Sequence, residues 1–218
     1  MITVPEAVEG IVTGTPFLED GLRDGLLNLS AVARQLRPDL EARLGHEITD
    51  VAIVMGLRRL ALRLRKKARP LGNVLRNIRD LTLRSDLVAF TFQTSRTILD
   101  RKRQLLNVMA KRRDTFVAIT QGIAEVTLVV SRSAAGDVTR LFASERAVAR
   151  LDELSSITVC LPEKAVGIPG VHYSILKQLA WHDINVVEVV STYTELSIVL
   201  ANADVDRAFA VLKGFLWG

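Results

Sequence analysis

The amino-acid sequence predicts an α+β protein in which an N-terminal helical domain precedes two ferredoxin-like βαββαβ domains. Two observations support this fold class. Apolar residues follow a helical spacing in the first third of the chain and alternate with polar residues in the segments that follow. The last two thirds also align with themselves as an internal repeat. The predicted limits are 1–75 for the helical domain, 76–150 for the first copy and 151–218 for the second.

The helical domain is predicted from apolar residues that recur every three or four positions. The clearest run consists of Ile53, Leu57, Leu60 and Leu64. Ser30 and Thr49 are expected to cap the helices that follow them, and Pro38 is expected in a first helical turn. Pro70 cannot continue the last helix, so this helix should end in the stretch KKARPLGN.

The net charge of +5 is unevenly distributed along the chain. Residues 1–79 hold 13 basic and 9 acidic side chains, residues 80–150 hold 12 and 7, and residues 151–218 hold 4 and 8. A basic front and an acidic back are typical of parts that have separate partners. Acidic residues stand where a secretory signal carries basic ones, and no uncharged apolar window of about 18 residues occurs. We therefore expect a cytoplasmic protein without a membrane partner.

Few residues suggest catalytic or metal chemistry. Cys160 is the single cysteine, so no internal disulfide can form, and its apolar surroundings in ITVCL predict a buried, unreactive thiol. His46, His172 and His182 are scattered and do not have the spacing of metal ligands. The sequence thus predicts a protein that is not an enzyme and that uses no metal or cofactor.

The internal repeat places residues 80–150 over residues 151–218. At an offset of 70, LLNVMAKR matches the apolar positions of ILKQLAWH, and AEVTLVV covers TELSIVL; with a small loop adjustment DVTRLF covers DVDRAF. Each copy therefore reads as strand, helix, two strands and helix, the core of the split-βαβ pattern. The second copy has almost no chain left for a fourth strand. Either LKGFLW forms it, or the segment RDLTL from Arg79 to Leu83 supplies it.

Three features of the second copy occur together: the loop VGIPGV, a helix that ends LAWHDINV with Asn185 opening the next strand, and the stretch STYTELSIVL. In this order they resemble an ACT domain, and specifically the regulatory ACT repeats of aspartate kinases. The resemblance covers residues 155–216 directly and residues 86–145 through the repeat. It implies sheets paired side by side and a small effector, commonly an amino acid, bound where domains meet. The first lysine is Lys66, so we do not extend the resemblance to kinase activity.

The resemblance assigns an effector-binding role to eight residues of the second copy. They are Gly167, Ile168, Pro169, Gly170, Val171, His172, Asn185 and Val186. A Gly-Ile-Pro-Gly turn lets the backbone approach a ligand, and the first N–H groups of the following helix attract an anionic group such as a carboxylate. Asn185 offers both donors and an acceptor to an amino-acid head group.

A purely structural alternative exists for these residues. The loop would then be a tight connection, and Asn185 a turn residue that bonds its own backbone. The first copy carries Asp100 at the position of Gly170 and Thr115 at that of Asn185, and it has no Gly-Pro loop. We therefore expect any effector site to be asymmetric between the copies.

A second candidate site is the basic stretch from Val51 to Arg79, which contains no acidic residue. The residues considered for nucleic-acid binding are Arg58, Arg59, Arg63, Lys66 and Lys67. LNLSAVARQL followed by a capped helix has the order of a helix-turn-helix, and basic side chains neutralise phosphates. The connection from Leu36 to Thr49, however, is longer than the usual turn. A dimerisation arm or an acidic partner are the alternatives.

The sequence therefore predicts a non-catalytic, dimeric regulatory protein whose ACT-like domains bind a small effector, which we expect to be an amino acid. Two alternatives remain open. One is a ligand-controlled transcription regulator that binds DNA through the helical domain, and the other is a regulatory subunit of a separate amino-acid biosynthesis enzyme.

Overall fold

The computed structural model describes residues 2–66, 70–112 and 115–218. The chain forms two compact units, Met1–Arg69 and Pro70–Gly218. The division falls ahead of the expected limit at residue 75, because the helix that begins at Pro70 packs within the second unit. The expected limit at residue 150 falls inside one continuous strand.

The described part of the first unit contains four helices: α1 (Val4–Thr13), α2 (Pro16–Asp24), α3 (Leu29–Leu44) and α4 (Asp50–Lys66). Helix α4 contacts the other three helices. Its buried stripe is the predicted one, formed by Ile53, Leu57, Leu60 and Leu64. The apolar periodicity of the sequence therefore identifies the central helix of this unit correctly.

The ends of these helices differ in part from the prediction. Thr49 accepts a hydrogen bond from the backbone N–H of Ala52 at 3.3 Å, as expected for a cap. The cap of α3 is Asn28 and not Ser30, because the Asn28 side chain accepts hydrogen bonds from the N–H groups of Ser30 and Ala31.

The expectation for Pro38 is wrong. This proline lies inside α3, and the helix continues to Leu44. A proline inside a helix removes one backbone hydrogen bond and crowds the preceding turn. Leu36 and Leu40 on either side of it are both buried in the core of the unit, and this packing keeps the helix continuous.

The second unit combines a six-stranded antiparallel sheet with helices in the described residues. The strands are β1 (Leu81–Gln93), β2 (Val117–Gln121), β3 (Glu125–Ser131), β4 (Ala147–Cys160), β5 (Glu188–Ser191) and β6 (Glu195–Ala201). The helices are α5 (Pro70–Arg76), α6 (Ile98–Met109), α7 (Arg132–Leu141), α8 (Val171–Trp181) and α9 (Val205–Trp217). The sheet order is β2-β3-β1-β4-β6-β5. Two ferredoxin-like copies are thus present, as predicted.

The two copies share β1 and β4. The second half of β1 is the first strand of the first copy, whereas its first half pairs with the second half of β4, with Leu81 opposite Val159 and Leu83 opposite Ile157. The segment RDLTL is therefore the source of the missing fourth strand. LKGFLW does not supply it, since these residues belong to α9.

Each copy thus receives one strand segment from the other, which we call the strand exchange. It is centred on Leu87 and Leu154, which are opposite each other in the sheet and are both buried. The register of β1 and β4 shifts on both sides of this pair. Asp86 and Glu153 have positive φ angles of 59° and 56° at the shifts, a conformation that Asp tolerates better than most residues. Bulges of this kind increase the local twist of a strand, which allows one strand to serve two copies.

Each copy has its own apolar core. The first core lies between the sheet and α6 and α7, where Leu105, Leu128 and Val138 are fully buried. The second lies between the sheet and α8, α9 and α5, where Ile175, Ile198 and Leu212 are fully buried. Alternation along the strands and helical spacing along the helices together place these residues inside.

A buried carboxylate in the first copy joins the segment before β4 to the loop that follows β1. Glu145, whose side chain is 2% exposed, accepts hydrogen bonds from Ser95 Oγ at 2.5 Å and Thr97 Oγ1 at 2.7 Å. Arg101 Nε lies 3.7 Å from its Oε1. The hydrogen bonds from Ser95 and Thr97, reinforced by the Arg101 charge, lower the pKa of Glu145 below its ordinary value.

The strand exchange predicts how truncation affects the second copy. A chain that begins at Pro70 should fold cooperatively, and one that begins at Arg79, which lacks only α5, should keep the sheet. A chain that begins at Asp86 should lose the native packing of Ile157 and Val159, because the strand beside them is missing. Amide hydrogen exchange of β4 and β6 measures this. Equal protection of β6 in all three chains would contradict the exchange as described.

The lowered pKa of Glu145 predicts a pH-dependent contribution to stability. A carboxyl group with a depressed pKa in the folded state stabilises the fold above its unfolded pKa and loses that effect as the pH falls through the folded pKa. Glu145→Gln should therefore lower the free energy of unfolding by about 1–3 kcal/mol at neutral pH. The difference in the free energy of unfolding between the two proteins should become smaller at pH values well below 4.5, the ordinary pKa of a glutamate. Urea denaturation at several pH values measures it, with Glu163→Gln on an exposed loop as the control.

Candidate functional site

The candidate effector loop connects β4 to α8. Leu161 is buried, and its N–H donates to the carbonyl of Thr194 at 2.7 Å. A short 3₁₀ turn follows over Glu163–Ala165. Gly170 then adopts a φ of 89° directly before α8, a conformation that glycine reaches without steric cost. The loop thus turns sharply into the helix at a position that requires glycine.

The start of α8 is anchored by one side chain and leaves another at the surface. Val171 is 2% exposed and packs in the second core, whereas His172 is exposed. His172 Nε2 lies 3.4 Å from Ser191 Oγ at the end of β5. The loop, the first turn of α8 and the end of β5 therefore lie at the same end of the second copy. The first N–H groups of α8 have no partner within the helix.

The eight predicted effector residues do not all present side chains to a ligand. Ile168, Val171 and Val186 pack against the second core. The exposed members are Gly167, Pro169, Gly170, His172 and Asn185. Ile168, Val171 and Val186 can therefore contact a ligand only through their backbone or the edge of a side chain.

Asn185 lies apart from the loop within one chain. It follows α8, whereas Gly170 precedes it. The 11-residue helix between them is roughly 16 Å long. The structure therefore brings residues 167–172 together and leaves Asn185 and Val186 at the other end of the copy, beyond the reach of one small molecule.

Asn185 stands close to an open edge of the sheet. Strand β5 pairs with β6 on one side, and its other side pairs with no strand in the described residues. Burial raises the pKa of Glu188 at the start of this strand. An unpaired edge strand presents backbone donors and acceptors to another chain.

The corresponding positions of the first copy have different surroundings. Asp100 is exposed on α6 and lies 3.7 Å from Arg103, and Thr115 is partly buried ahead of β2. The loop before α6 is held by Glu145 through Ser95 and Thr97. The loops of the two copies are therefore built differently.

Helix α4 carries the candidate nucleic-acid residues. Arg58, Arg59, Arg63 and Lys66 are exposed on it, opposite its buried stripe, and Arg63 forms an ion pair with Glu9 at 2.5 Å. Lys67 lies outside the described residues. Because α3 continues to Leu44, the connection to α4 is residues 45–49 only, shorter than expected and close to the turn of a helix-turn-helix.

A cleft that the sequence did not reveal lies between α5 and the candidate effector loop. Its volume is about 700 Å³. It is lined by Asn73, Val74, Asn77, Arg79, Pro162, Glu163, Lys164 and Ile168. The sequence signal for this cleft is ambiguous, because Pro70 can end the preceding helix and is equally suited to begin a new one.

The remaining candidates for chemistry have ordinary roles. Cys160 is partly buried and not fully buried as expected. Its partial burial raises the pKa of the thiol, with Asp80 and Glu195 nearby adding to the effect, so the thiolate is disfavoured. His46 and His182 contact backbone carbonyls through Nδ1. The described residues include no group of three or more His, Cys, Asp or Glu side chains placed to hold a metal ion. Among their helices, none is long and apolar enough to cross a membrane.

Comparisons with known proteins connect this architecture to one group of structures. No protein-family profile matches the chain, and no curated protein matches it in sequence. The regulatory subunit of aspartate kinase from Thermus thermophilus, in its ligand-free form, matches with a TM-score of 0.53 and 13% identity over 65% of this chain and 99% of its own. Aspartate kinase from Clostridium acetobutylicum matches with a TM-score of 0.53 and 9% identity, and that from Synechocystis with 0.51 and 16%.

Each of these matches covers only part of this chain. The chain covers 35% of the Clostridium enzyme and 26% of the Synechocystis enzyme, and the two matches cover 64% and 63% of this chain. Such low identities establish the fold alone. The helical first unit precedes a sheet unit, and this second unit has the tandem ACT fold of aspartate kinase regulatory domains.

Proposed function

We propose that the protein is a non-catalytic regulator whose second unit binds a small effector, an amino acid, at residues 167–172. The observation that carries this proposal is the exposed Gly-Ile-Pro-Gly loop, in which Gly170 at a φ of 89° directs the chain into α8. The fold supports it, because the similar structures include a regulatory subunit of aspartate kinase and an aspartate kinase described as an allosteric enzyme.

The chemistry of the loop favours an anionic head group. The N–H groups of the first turn of α8 point away from the helix, and the positive end of its dipole lies there. Gly167 has open space around its Cα, so the backbone is accessible at that point. The α-carboxylate of an amino acid fits these donors, and His172 is close enough to contact the remainder of the molecule.

A second chain completes the site. Antiparallel pairing of two β5 edges about a twofold axis places the start of one strand beside the end of the other. The four residues of β5 span roughly 13 Å, similar to the distance that separates Asn185 from its own loop. Asn185 of the partner subunit then lies near His172 and Ser191, and both effector sites are formed at one dimer interface.

Regulation follows from this arrangement. An effector held by the loop of one chain and by Asn185 of the partner subunit binds the paired state better than any state in which the edges separate. Binding then shifts the population toward the paired state by the difference in affinity. A target that recognises only one of these states would respond to the effector.

Effector binding is tested by thermal stability in the presence of each standard amino acid. At about 100 times its dissociation constant, an effector should stabilise the fold by about 2.7 kcal/mol. Asn185→Ala should weaken binding about tenfold, the loss of one or two hydrogen bonds to charged groups, whereas Asn107→Ala on the exposed face of α6 should not. Failure of every amino acid to stabilise the protein at millimolar concentration would remove this function.

Mixing variants tests the contribution of the second chain. Gly170→Val disrupts the loop, since a β-branched residue is strained at positive φ, and its fold is checked by circular dichroism. Each variant alone should bind poorly. A mixed dimer of Gly170→Val and Asn185→Ala chains contains one intact loop facing one intact Asn185. Random mixing in equal amounts makes about half of the dimers mixed, so it should restore about a quarter of all sites. No restoration would mean that each site lies within one chain.

DNA binding by the first unit is a second candidate, favoured by the exposed Arg58 and Arg59 on α4 and by its short connection to α3. Two phosphate contacts contribute about 1.8 to the slope of log K against log salt. Arg58→Gln with Arg59→Gln should reduce the slope by about this amount, whereas Arg34→Gln on α3 should change it little. Weak binding with a flat salt response in the unmodified protein would exclude this function.

The regulatory-subunit alternative uses the same effector site. It differs from the first proposal only in the target, which would be a separate enzyme of amino-acid biosynthesis. The match to nearly the whole of an isolated regulatory subunit supports it.

A further inference from the structure

The cleft between α5 and the β4–α8 loop contains two cations close to an apolar floor. Val74 is buried beneath it, and Ile168 is partly buried at its wall. Arg79 and Lys164 are exposed at its lining. Within the ranges that the structure describes, neither of them takes part in an ion pair, although Glu163 also lines the cleft. The cleft has a volume of about 700 Å³, large enough for a small metabolite.

The pseudo-symmetry of the two copies shows what corresponds to this cleft in the first copy. In the first copy, the N–H of Gln93 donates a hydrogen bond to the carbonyl of Arg146 at 2.9 Å. In the second copy, the N–H of Cys160 donates a hydrogen bond to the carbonyl of Asp80 at 3.2 Å. These bonds join the end of the first strand to the start of the fourth strand in each copy. They make Gln93 equivalent to Cys160, and Arg146 equivalent to Asp80.

A second pair of bonds confirms the alignment. The N–H of Thr94 donates to the carbonyl of Ala124, and the N–H of Leu161 donates to that of Thr194. One residue further along, Ser95 corresponds to Pro162. Two residues after that, Thr97 corresponds to Lys164.

The position of Glu145 is fixed in the same way. Since Arg146 corresponds to Asp80, the preceding residues Glu145 and Arg79 are equivalent. In the first copy Glu145 bonds Ser95 and Thr97. In the second copy the equivalents Arg79, Pro162 and Lys164 all line the cleft.

The two equivalent positions therefore carry opposite charges, an anion in the first copy and cations in the second. The first copy places its own carboxylate against two hydroxyl groups, with Arg101 nearby. The second copy has no internal carboxylate at this position and presents two cationic side chains around an open space instead. A bound carboxylate would fill there the role that Glu145 fills in the first copy.

We propose that this cleft binds a small α-amino carboxylate, with its carboxylate between Arg79 and Lys164. Glu163 lines the same cleft and accepts the ammonium group, while the side-chain amides of Asn73 and Asn77 offer further donors and acceptors. The site is distinct from the loop-and-Asn185 site proposed above, because Asn185 does not line it. Its existence does not depend on that function.

The cleft is also linked to the candidate effector loop. Four residues of this loop line the cleft, namely Pro162, Glu163, Lys164 and Ile168. Gly170 lies so close to α5 that a Cβ on it would be 3.6 Å from Leu71 Cδ2. Helix α5 and the loop therefore contact each other directly. A ligand in the cleft bridges them and fixes the loop from its inner side.

The test uses three probes of similar size with the full chain: L-alanine, L-alaninamide, which lacks the carboxylate, and propionate, which lacks the ammonium group. Binding is followed by backbone amide chemical shifts at residues 73–79 and 163–168. L-Alanine should shift these resonances in a saturable manner. L-Alaninamide should bind at least about tenfold more weakly, since it loses a charge-assisted pair, and propionate should fall between them.

Variants locate the binding. Arg79→Gln and Lys164→Gln should each weaken L-alanine binding about tenfold, whereas Arg76→Gln, at the end of α5 and outside the lining of the cleft, should leave it unchanged. Asn185→Ala should also leave the shifts at residues 73–79 unchanged. If Asn185→Ala removes these shifts, the ligand occupies the loop site, and the cleft proposal is wrong while the proposed function stands. Equal binding of L-alanine and L-alaninamide, or no shift at these residues, overturns the cleft proposal without affecting the other site.

Discussion

The second unit depends on the pairing of β1 with β4. These two strands lie at the centre of the sheet. One half of each strand belongs to the first copy, and the other half belongs to the second copy. The crossing is fixed by the buried pair Leu87 and Leu154, and by the register shifts at Asp86 and Glu153. Arg132 adds an ion pair to Asp86 at 2.6 Å and approaches Asp152 at 3.6 Å. Such exposed pairs contribute little energy individually, so the apolar contact at the centre holds the two copies together.

The two copies share this framework but carry side chains of opposite charge at one equivalent position. Two equivalent positions hold Glu145 in the first copy and Arg79 in the second, and the loops that face them differ accordingly. A buried carboxylate with its hydrogen bonds made keeps the first loop rigid. The second loop instead contains a glycine at positive φ and borders an open cleft. The repeat thus combines one copy in which a buried carboxylate fills this position with one in which the equivalent position borders an open cleft.

The sequence predicted the parts of this structure that depend on periodicity. The repeat and the cores of both copies follow from alternation and helical spacing. The source of the fourth strand, LKGFLW or RDLTL, stayed open in the sequence, and only the pairing of β1 with β4 identifies RDLTL. Pro38 and Ser30 were misread because packing of Leu36 and Leu40 and the cap at Asn28 outweigh local signals. Helix α5, Glu145 and Arg79 were missed, since their roles come from contacts between distant segments. Only an alignment of the strand starts, and not of the helices, makes Glu145 and Arg79 equivalent.

The exchanged strands also have a mechanical consequence. Residues 77–80 lead from α5 directly into β1, whose first half belongs to the second copy and whose second half belongs to the first. A displacement of α5 therefore pulls along a single extended strand that both copies share. Leu81 at the start of β1 packs against the second core, whereas Phe90 near its end is buried in the first. A displacement of α5 would therefore act on one strand that packs in both cores.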